Sequence, residues 1–359
     1  MKVILCAGGT GGHIYPCLAI MNKIKEKDPK SEFLYIGTTD RMEATLIPSM
    51  NIPFKGIEMK GLDRHNLFNN FKVIKGFLDA IKESKKIIKE FDPDIVLGVG
   101  GYITAPVVYA SHKLGYKTFI HEQNSIPGLS NKFLSRYADI IGVSLPGSIE
   151  YFPKGKTYYT GNPRSEEVVG TNPMDKKEYG LSKDKKLVVI VMGSLGSTTM
   201  NNKLHELVAH FKDKDYEILL VTGKNYYDDY KKVKVPSNVK VVPYLDKMLS
   251  VMKDTDLIVS RAGASTVAEI TALGLPSIIV PSPYVTHNHQ LKNAKELEAA
   301  GACKVLEEKD FSKDTLLPMI DEILNDKKLY KSMHESSLKL GIPDSATRIY
   351  KLIKEVVEK

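Results

Sequence analysis

The sequence predicts two doubly wound α/β domains, each a parallel sheet with helices on both faces. Three observations carry that expectation. A chain of 359 residues exceeds what one hydrophobic core usually organises. Short, continuous Val/Ile/Leu runs alternate with helix-length amphipathic stretches, as parallel strands buried on both faces require. The runs also fall into two successive sets, each with glycine turns after its strands.

In the first set the strands are expected at Val3–Ala7, Phe33–Gly37, Ile95–Val99, Lys117–His121 and Ile140–Ser144. In the second they are expected at Leu187–Met192, Ile218–Thr222, Val239–Pro243, Leu257–Ser260 and Ser277–Pro281. The Gly-Asn-Pro cluster of "TGNPR", Thr160–Arg164, marks the boundary, giving a first domain of 1–163 and a second of 164–340. The C-terminal "SATRIYKLIKEVVEK" places Ile349, Leu352, Ile353, Val356 and Val357 on one helical face.

Composition narrows the function. Apolar residues at 42% and charged residues at 26% are ordinary for a soluble globular protein. The longest nearly uncharged stretch, Leu97–Ala110, is too short and too broken by Gly and Pro for a membrane span. Glycines from Gly8 onward interrupt any signal-peptide pattern. Cys6, Cys17 and Cys303 lack metal-type spacing and read as buried thiols in a reducing cytoplasm. The net charge of +8 suits an anionic membrane face or anionic small substrates. Nucleic acid is not expected, because RNA-binding motif, zinc finger and basic tail are all missing.

Ligands of such sheets sit beyond the carboxyl ends of the strands, and the informative residues fall there. Gly8-Gly9-Thr10-Gly11-Gly12-His13 follows the first strand. Its glycines let a ligand approach the backbone, and the helix from about His13 offers free N–H groups to an anion. The spacing is not G-x-G-x-x-G, and "FLYIGTTD" has no acidic residue ending the second strand, which argues against a dinucleotide. The positive helix end disfavours an imidazolium at His13, leaving a ring able to accept a proton; a lone His serves as often as a structural hydrogen-bonder. "GVGGYITAP", Gly98 to Pro106, gives a second glycine turn after a strand. "HEQNSIPG", His121–Gly128, suits either a polyhydroxyl ligand or a satisfied polar turn.

The second set repeats the design. "VMGSLGS" puts Ser194 and Gly196 in another phosphate-type turn. "SRAGASTVAEI" opens a helix at about Ser265, and Glu269 then sits one turn in, where a carboxylate can take both hydroxyls of a ribose or simply charge the helix start. "PSPYVTHNHQLKNA" offers His287, Asn288, His289 and Gln290. Asp-x-Asp recurs at Asp92, Asp213 and Asp254, always before a strand and so at the amino end of the sheet, opposite the ligand side. These read as turns. His287 and His289 point apart if extended and have no third partner, so neither a metal nor a cofactor is expected.

Arg64–Phe91 carries two apolar stripes at helical spacing. One is Val73, Phe77, Ala80, Ser84 and Ile87. The other is Leu67, Phe71, Ile74, Leu78 and Ile81, with Lys75, Lys82 and Lys85 close by. A helix lying on a sheet needs only one stripe, so the second is either covered by a loop or docks on anionic lipid.

Together these motifs resemble the MurG-type glycosyltransferases. The likeness spans nearly the whole chain and rests on "GGTGGHIYP", "DRMEATLIP", "DPDIVLGVGGYITAP", "HEQNSIPGLSNKFL", "GNPR", "SRAGASTVAEI" and the Gln290–Ala294 stretch. It implies the GT-B fold, two facing Rossmann-like domains with the active cleft between them, and a C-terminal helix, 341–359, crossing back onto the first. It implies inverting transfer of N-acetylglucosamine from UDP-N-acetylglucosamine to the C4 hydroxyl of undecaprenyl-diphosphate-linked muramyl pentapeptide. That is a step of peptidoglycan synthesis, made by a peripheral protein on the cytoplasmic face of the anionic inner membrane.

The resemblance also implies residue roles. Ser194 meets the donor diphosphate, the Leu245 backbone reads uracil, and Glu269 holds the ribose. Ala264, Gln290 and Asn124 reach the sugar hydroxyls, Ser265 is a further donor-binding residue, Arg164 contacts the nucleotide, and Thr10, Gly11 and Gly12 are shared binding elements. Gly9 to Gly12, Gly101 and Tyr102 face the acceptor diphosphate, with His13 as candidate base. Phe71, Ile74, Lys75, Leu78, Ile81 and Lys82 form the membrane patch. Where the family has Gly-Gly-Ser-x-Gly-Ala, this chain has Met192-Gly193-Ser194-Leu195-Gly196-Ser197. Diacylglycerol glycosyltransferases and UDP-sugar 2-epimerases share the fold, as would an inactive nucleotide-sugar sensor. "HEQN" and the Gln290 segment favour the muramyl acceptor, and intact His13, Asn124, Glu269 and Gln290 favour an active enzyme.

Overall fold

The computed structural model describes residues 1–59, 70–193, 196–285 and 288–359, with the side chains of 70–73 left aside. The chain divides into two compact units, Met1–Arg164 with Asp344–Lys359, and Ser165–Pro343. The chain therefore crosses between units after Arg164 and Pro343, where the sequence places the crossings after 163 and 340.

The first unit is a seven-stranded parallel sheet. Its strands are β1 (Lys2–Cys6), β2 (Glu32–Thr38), β3 (Phe54–Ile57), β4 (Ile95–Gly98), β5 (Lys117–Glu122), β6 (Ile140–Val143) and β7 (Thr157–Tyr159), in the order 3-2-1-4-5-6-7. Val3 pairs with Phe33 on one side and Ile95 on the other. Helices α1 (Gly11–Lys27), α2 (Met42–Ser49), α3 (Asn70–Phe91), α4 (Thr104–Leu114) and α5 (Leu129–Leu134) connect them. Because helices cover both faces, Val3, Ile4, Leu5 and Cys6 are all buried, and the strand reads as an apolar run without alternation.

The second unit begins within α6 (Arg164–Gly170). Its strands are β8 (Leu187–Val191), β9 (Glu217–Val221), β10 (Val239–Val242), β11 (Leu257–Ser260), β12 (Ser277–Ile279) and β13 (Cys303–Val305), parallel and ordered 10-9-8-11-12-13. Between them run α7 (Thr198–Leu207), α8 (Met248–Lys253), α9 (Ala264–Leu273) and α10 (His289–Ala299), with α11 (Lys313–Asn325) and α12 (Lys327–Leu340) closing the unit. All ten expected strands are present. The three unanticipated ones, β3, β7 and β13, are sheet edges of three or four residues. Short, partly exposed edges limit pairing with other chains and carry too little apolar sequence to stand out.

The C-terminal helix α13 (Ser345–Val357) belongs to the first unit. Ile349 and Ile353 are fully buried with Val3, Leu5, Ile14 and Phe119, and Leu352, Val356 and Val357 pack at the rim of that cluster. Each fully buried aliphatic side chain contributes about 1.5–3 kcal/mol. At the start of α13, Ser345 Oγ donates to the Asn162 carbonyl at 2.6 Å, so the two crossing segments are fastened to each other.

Two of the three Asp-x-Asp turns serve strand starts. Asp94 Oδ2 accepts the Lys2 N–H and Asp256 Oδ2 the Leu187 N–H, both at 2.7 Å. Asp139 does the same for Thr118. Free Cys6, Cys17 and Cys303 are buried, and desolvation pushes their thiols up, Cys303 to about 12.

On α3, Ala80, Ser84, Ile87 and Ile88 are buried and Phe77 is half-buried. Ile74 and Leu78 are 55% and 60% exposed, with Lys75 and Lys82 also exposed. Ile81 departs from the expected patch. It packs partly buried against the core of the first unit, where α3 lies mainly along α4. Leu67 and the Phe71 side chain lie outside the described residues. No helix among the described residues is long and apolar enough to cross a membrane.

Candidate functional site

Each sheet has a switch point where successive connections run to opposite sides, and ligands of open α/β sheets bind there. In the first unit it lies between β1 and β4, in the second between β8 and β11.

At the first switch point the two glycine turns pack on each other. Gly8 N–H donates to the Gly100 carbonyl at 3.2 Å. Gly100 and Gly101 have φ of +98° and +90°, a left-handed backbone that favours glycine. A Cβ on Gly101 would stand 2.5 Å from the Gly8 oxygen, and one on Gly100 would strike the His13 ring. Thr10 caps α1 without a side-chain bond, and its carbonyl accepts from His13 and Ile14. Helix geometry leaves the Gly11 and Gly12 amides without intrahelical partners. The Gly9 amide is different: it turns inward onto Glu43 Oε2 at 3.0 Å, so that expected anion contact is already engaged.

His13 Nδ1 lies 3.0 Å from the Gly8 carbonyl. A carbonyl only accepts, so Nδ1 carries the hydrogen and Nε2 of the neutral ring the lone pair. Two residues on, the Tyr15 ring lies 5.6 Å beneath the Arg164 guanidinium, a contact worth about 0.5–1 kcal/mol at an exposed site. Arg164 thus closes the first unit beside α1, although its sequence neighbourhood assigns it to the second domain. Tyr102 directs its hydroxyl to the Met59 carbonyl at 3.4 Å.

"HEQN" at the end of β5 resolves into interior and rim. His121, Glu122 and Gln123 are buried. His121 Nε2–H donates to the Gly161 carbonyl at 3.1 Å and Nδ1 accepts from Gln123 at 3.1 Å. Desolvation lowers His121 to about 4, against the opposing pull of the Gly161 bond. Glu122 accepts from the Asn124 and Gly128 amides, both at 3.0 Å, and from Asn131 Nδ2 at 2.9 Å. Asn124, at the rim, also leans its Nδ2 on Glu122 at 3.4 Å. Three of the four are therefore internal, and one side chain remains for a ligand.

At the second switch point α9 begins at Ala264, with Gly263 as its cap. Ser265 Oγ is buried with no hydrogen-bond partner among the described residues, and Glu269 is buried a turn further on. Gln290 Oε1 accepts the Ser282 N–H at 2.9 Å, and its amide NH₂ has no partner among the described residues. Leu245 buries its side chain in the core beneath α8 and α9, so its backbone is the part a ligand can read. Ser194 and His287 lie outside the described residues.

Two supports escaped the sequence reading. Glu43, bonded to the Gly9 amide, is the first. The second is Arg261, whose guanidinium meets Glu308 Oε2 at 2.6 Å, Ser197 Oγ at 3.1 Å and the Val280 carbonyl at 3.2 Å. Both ends of that ion pair are buried. It ties the segments that follow β8, β11, β12 and β13 into one frame.

Models of the glycosyltransferase family 28 N-terminal and C-terminal domains match residues 3–143 and 187–353. A Bacillus cereus protein named UDP-N-acetylglucosamine–N-acetylmuramyl-(pentapeptide) pyrophosphoryl-undecaprenol N-acetylglucosamine transferase 1 is 47% identical over 364 residues, covering all of both chains. The crystal structure of Acinetobacter baumannii MurG superposes with a TM-score of 0.79 at 26% identity over 99% of each chain. A putative UDP-N-acetylglucosamine 2-epimerase from Listeria monocytogenes reaches 0.72 at 16% identity, over 99% of this chain and 96% of that one, a likeness of fold alone. With both domain models matched in order and full-length relatives near half identity, the chain belongs to glycosyltransferase family 28.

Proposed function

We propose that this chain transfers N-acetylglucosamine from UDP-N-acetylglucosamine to undecaprenyl-diphosphate-linked muramyl pentapeptide. The names of its full-length relatives support the substrates. The observation that carries the chemistry is the packed pair of glycine turns, with His13 held so that the Nε2 lone pair is available. In this reading Nε2 takes the proton of the muramyl C4 hydroxyl as its oxygen attacks the anomeric carbon. UDP leaves from the opposite face, and the configuration inverts. A positioned base contributes about 10²–10⁴ in rate.

The Gly11 and Gly12 amides and the α1 dipole hold the acceptor diphosphate, with Gly101 and Tyr102 shaping the wall. On the donor side Ser194 and its loop meet the diphosphate, the Leu245 backbone reads uracil, and Glu269 takes the ribose hydroxyls. Ala264, Ser265, Gln290 and Asn124 contact the sugar. The exposed Ile74 and Leu78 beside Lys75 and Lys82 support docking on an anionic membrane face, each lysine adding about 1 kcal/mol at low salt.

The test is transfer of labelled N-acetylglucosamine to a lipid-linked muramyl pentapeptide. Label moving only to diacylglycerol, or conversion of the donor to its 2-epimer without any acceptor, would overturn the proposal. For the membrane, replacing Ile74 and Leu78 by Ser and Lys75 and Lys82 by Glu is expected to end sedimentation with anionic vesicles and leave UDP-N-acetylglucosamine affinity intact.

A further inference from the structure

We infer that Glu43 is a positioning residue that controls His13 through a single peptide group; the inference rests on His13 being the proton acceptor proposed above. The peptide joining Gly8 and Gly9 is used at both ends. Its carbonyl accepts His13 Nδ1–H at 3.0 Å, and its N–H donates to Glu43 Oε2 at 3.0 Å. Carboxylate, amide and imidazole thus form one hydrogen-bonded chain, in which each bond polarises the next. An amide whose N–H faces a carboxylate has a more electron-rich carbonyl. That strengthens the bond to Nδ1–H, fixes the tautomer and supports positive charge as it grows on the ring.

The rest of the environment holds the carboxylate in place for this. Glu43 is fully buried. Its other oxygen accepts the Thr38 N–H at 3.1 Å and the Thr38 hydroxyl at 2.8 Å. As the second residue of α2 it also meets a positive helix end. Two bare glycines make its room: a Cβ on Gly8 would stand 2.5 Å from Oε1, and one on Gly37 would stand 2.5 Å from Cγ. No lysine or arginine pairs with it among the described residues. Both carboxylate oxygens accept from N–H donors, Gly9 on one side and Thr38 on the other, so a glutamine, with a single acceptor oxygen, keeps only one of the two ties.

The test compares Glu43→Gln with and without His13→Ala. In the wild-type background we expect kcat to fall about 10-fold, the scale on which partners of an active-site ring act, with both KM values held within about twofold. In the His13→Ala background the same change should lower kcat by less than about twofold, the mark of a coupled pair. Equal factors in both backgrounds would make Glu43 structural and overturn the inference. Wild-type-like kcat in His13→Ala would instead overturn the base assignment, and the inference with it. Imidazole ¹⁵N shifts of the unmodified protein give a readout that needs no variant to fold. The expected result is the Nδ1–H tautomer at His13, and Nε2–H would overturn the tie.

Discussion

The two switch points solve one problem with opposite electrostatics. In the first unit the buried carboxylates Glu43 and Glu122 are met by amide and hydroxyl donors, with no ion pair among the described residues. In the second, Arg261 and Glu308 pair at 2.6 Å and Arg261 also reaches Ser197 at the start of α7 and Val280 after β12. A carboxylate satisfied by N–H groups fixes the orientation of individual peptides. An ion pair ties side chains together and leaves the backbone amides uncommitted. The first arrangement suits a turn that must aim one imidazole, and the second a frame that leaves the α9 amides open to a ligand.

The sharpest way to break the contrast is Glu308→Ala, which strands the Arg261 guanidinium in the interior. Uncompensated buried charges cost about 3–5 kcal/mol, so chemical denaturation should report a loss of that size. Arg261→Met with Glu308→Leu should recover most of it. If the single variant is nearly neutral, the pair is not the frame of the second unit.

His121 tests the neutral side. Its pKa falls from 6.5 to about 4 on folding, so between those values the unfolded chain binds a proton that the folded chain does not. Stability is therefore full above about pH 6.5 and declines as pH drops to about 4, by about 3 kcal/mol in all. His121→Gln should flatten that slope by one proton. An unchanged slope would assign the proton elsewhere.

Glu269→Ala probes the ligand rather than the frame. Charge-assisted bonds to the ribose hydroxyls are worth about 1.5–3 kcal/mol, so calorimetry should show UDP-N-acetylglucosamine binding roughly 10- to 150-fold weaker, with the melting temperature far less affected. The smallest effect belongs to Ile74→Ser with Leu78→Ser. Both side chains are exposed, so stability should stay within about 0.5 kcal/mol. A larger loss would show that the patch is covered in the folded protein.

What could be read from the sequence followed from locality. Central strands and glycine turns declare themselves within a few residues, as Val3–Ala7 and Gly8–His13 do. Glu43 does not, because "DRMEATLIP" looks like the exposed start of a helix, and it is buried only when a turn 34 residues earlier folds over it. Glu308 meets Arg261 across 47 residues, with nothing local to either to announce the other. "HEQN" reads equally as ligand site or internal network, and its answer depended on Gly161, brought beside His121 by the sheet. Ile81 is partly buried for a narrower reason: helical spacing defines a stripe but not which of its residues the neighbouring helix α4 and the core beneath it cover.

The discontinuity of the first unit has a consequence for how the chain is made. Synthesis at about 5–20 residues per second takes roughly 10–40 s to extend from Arg164 through Pro343. Throughout that interval the apolar surface that Ile349 and Ile353 later seal is without its cover. The second unit, contiguous in sequence, needs no such wait. The usual order of domain completion is therefore reversed, and a helix made after the second unit finishes the unit begun before it.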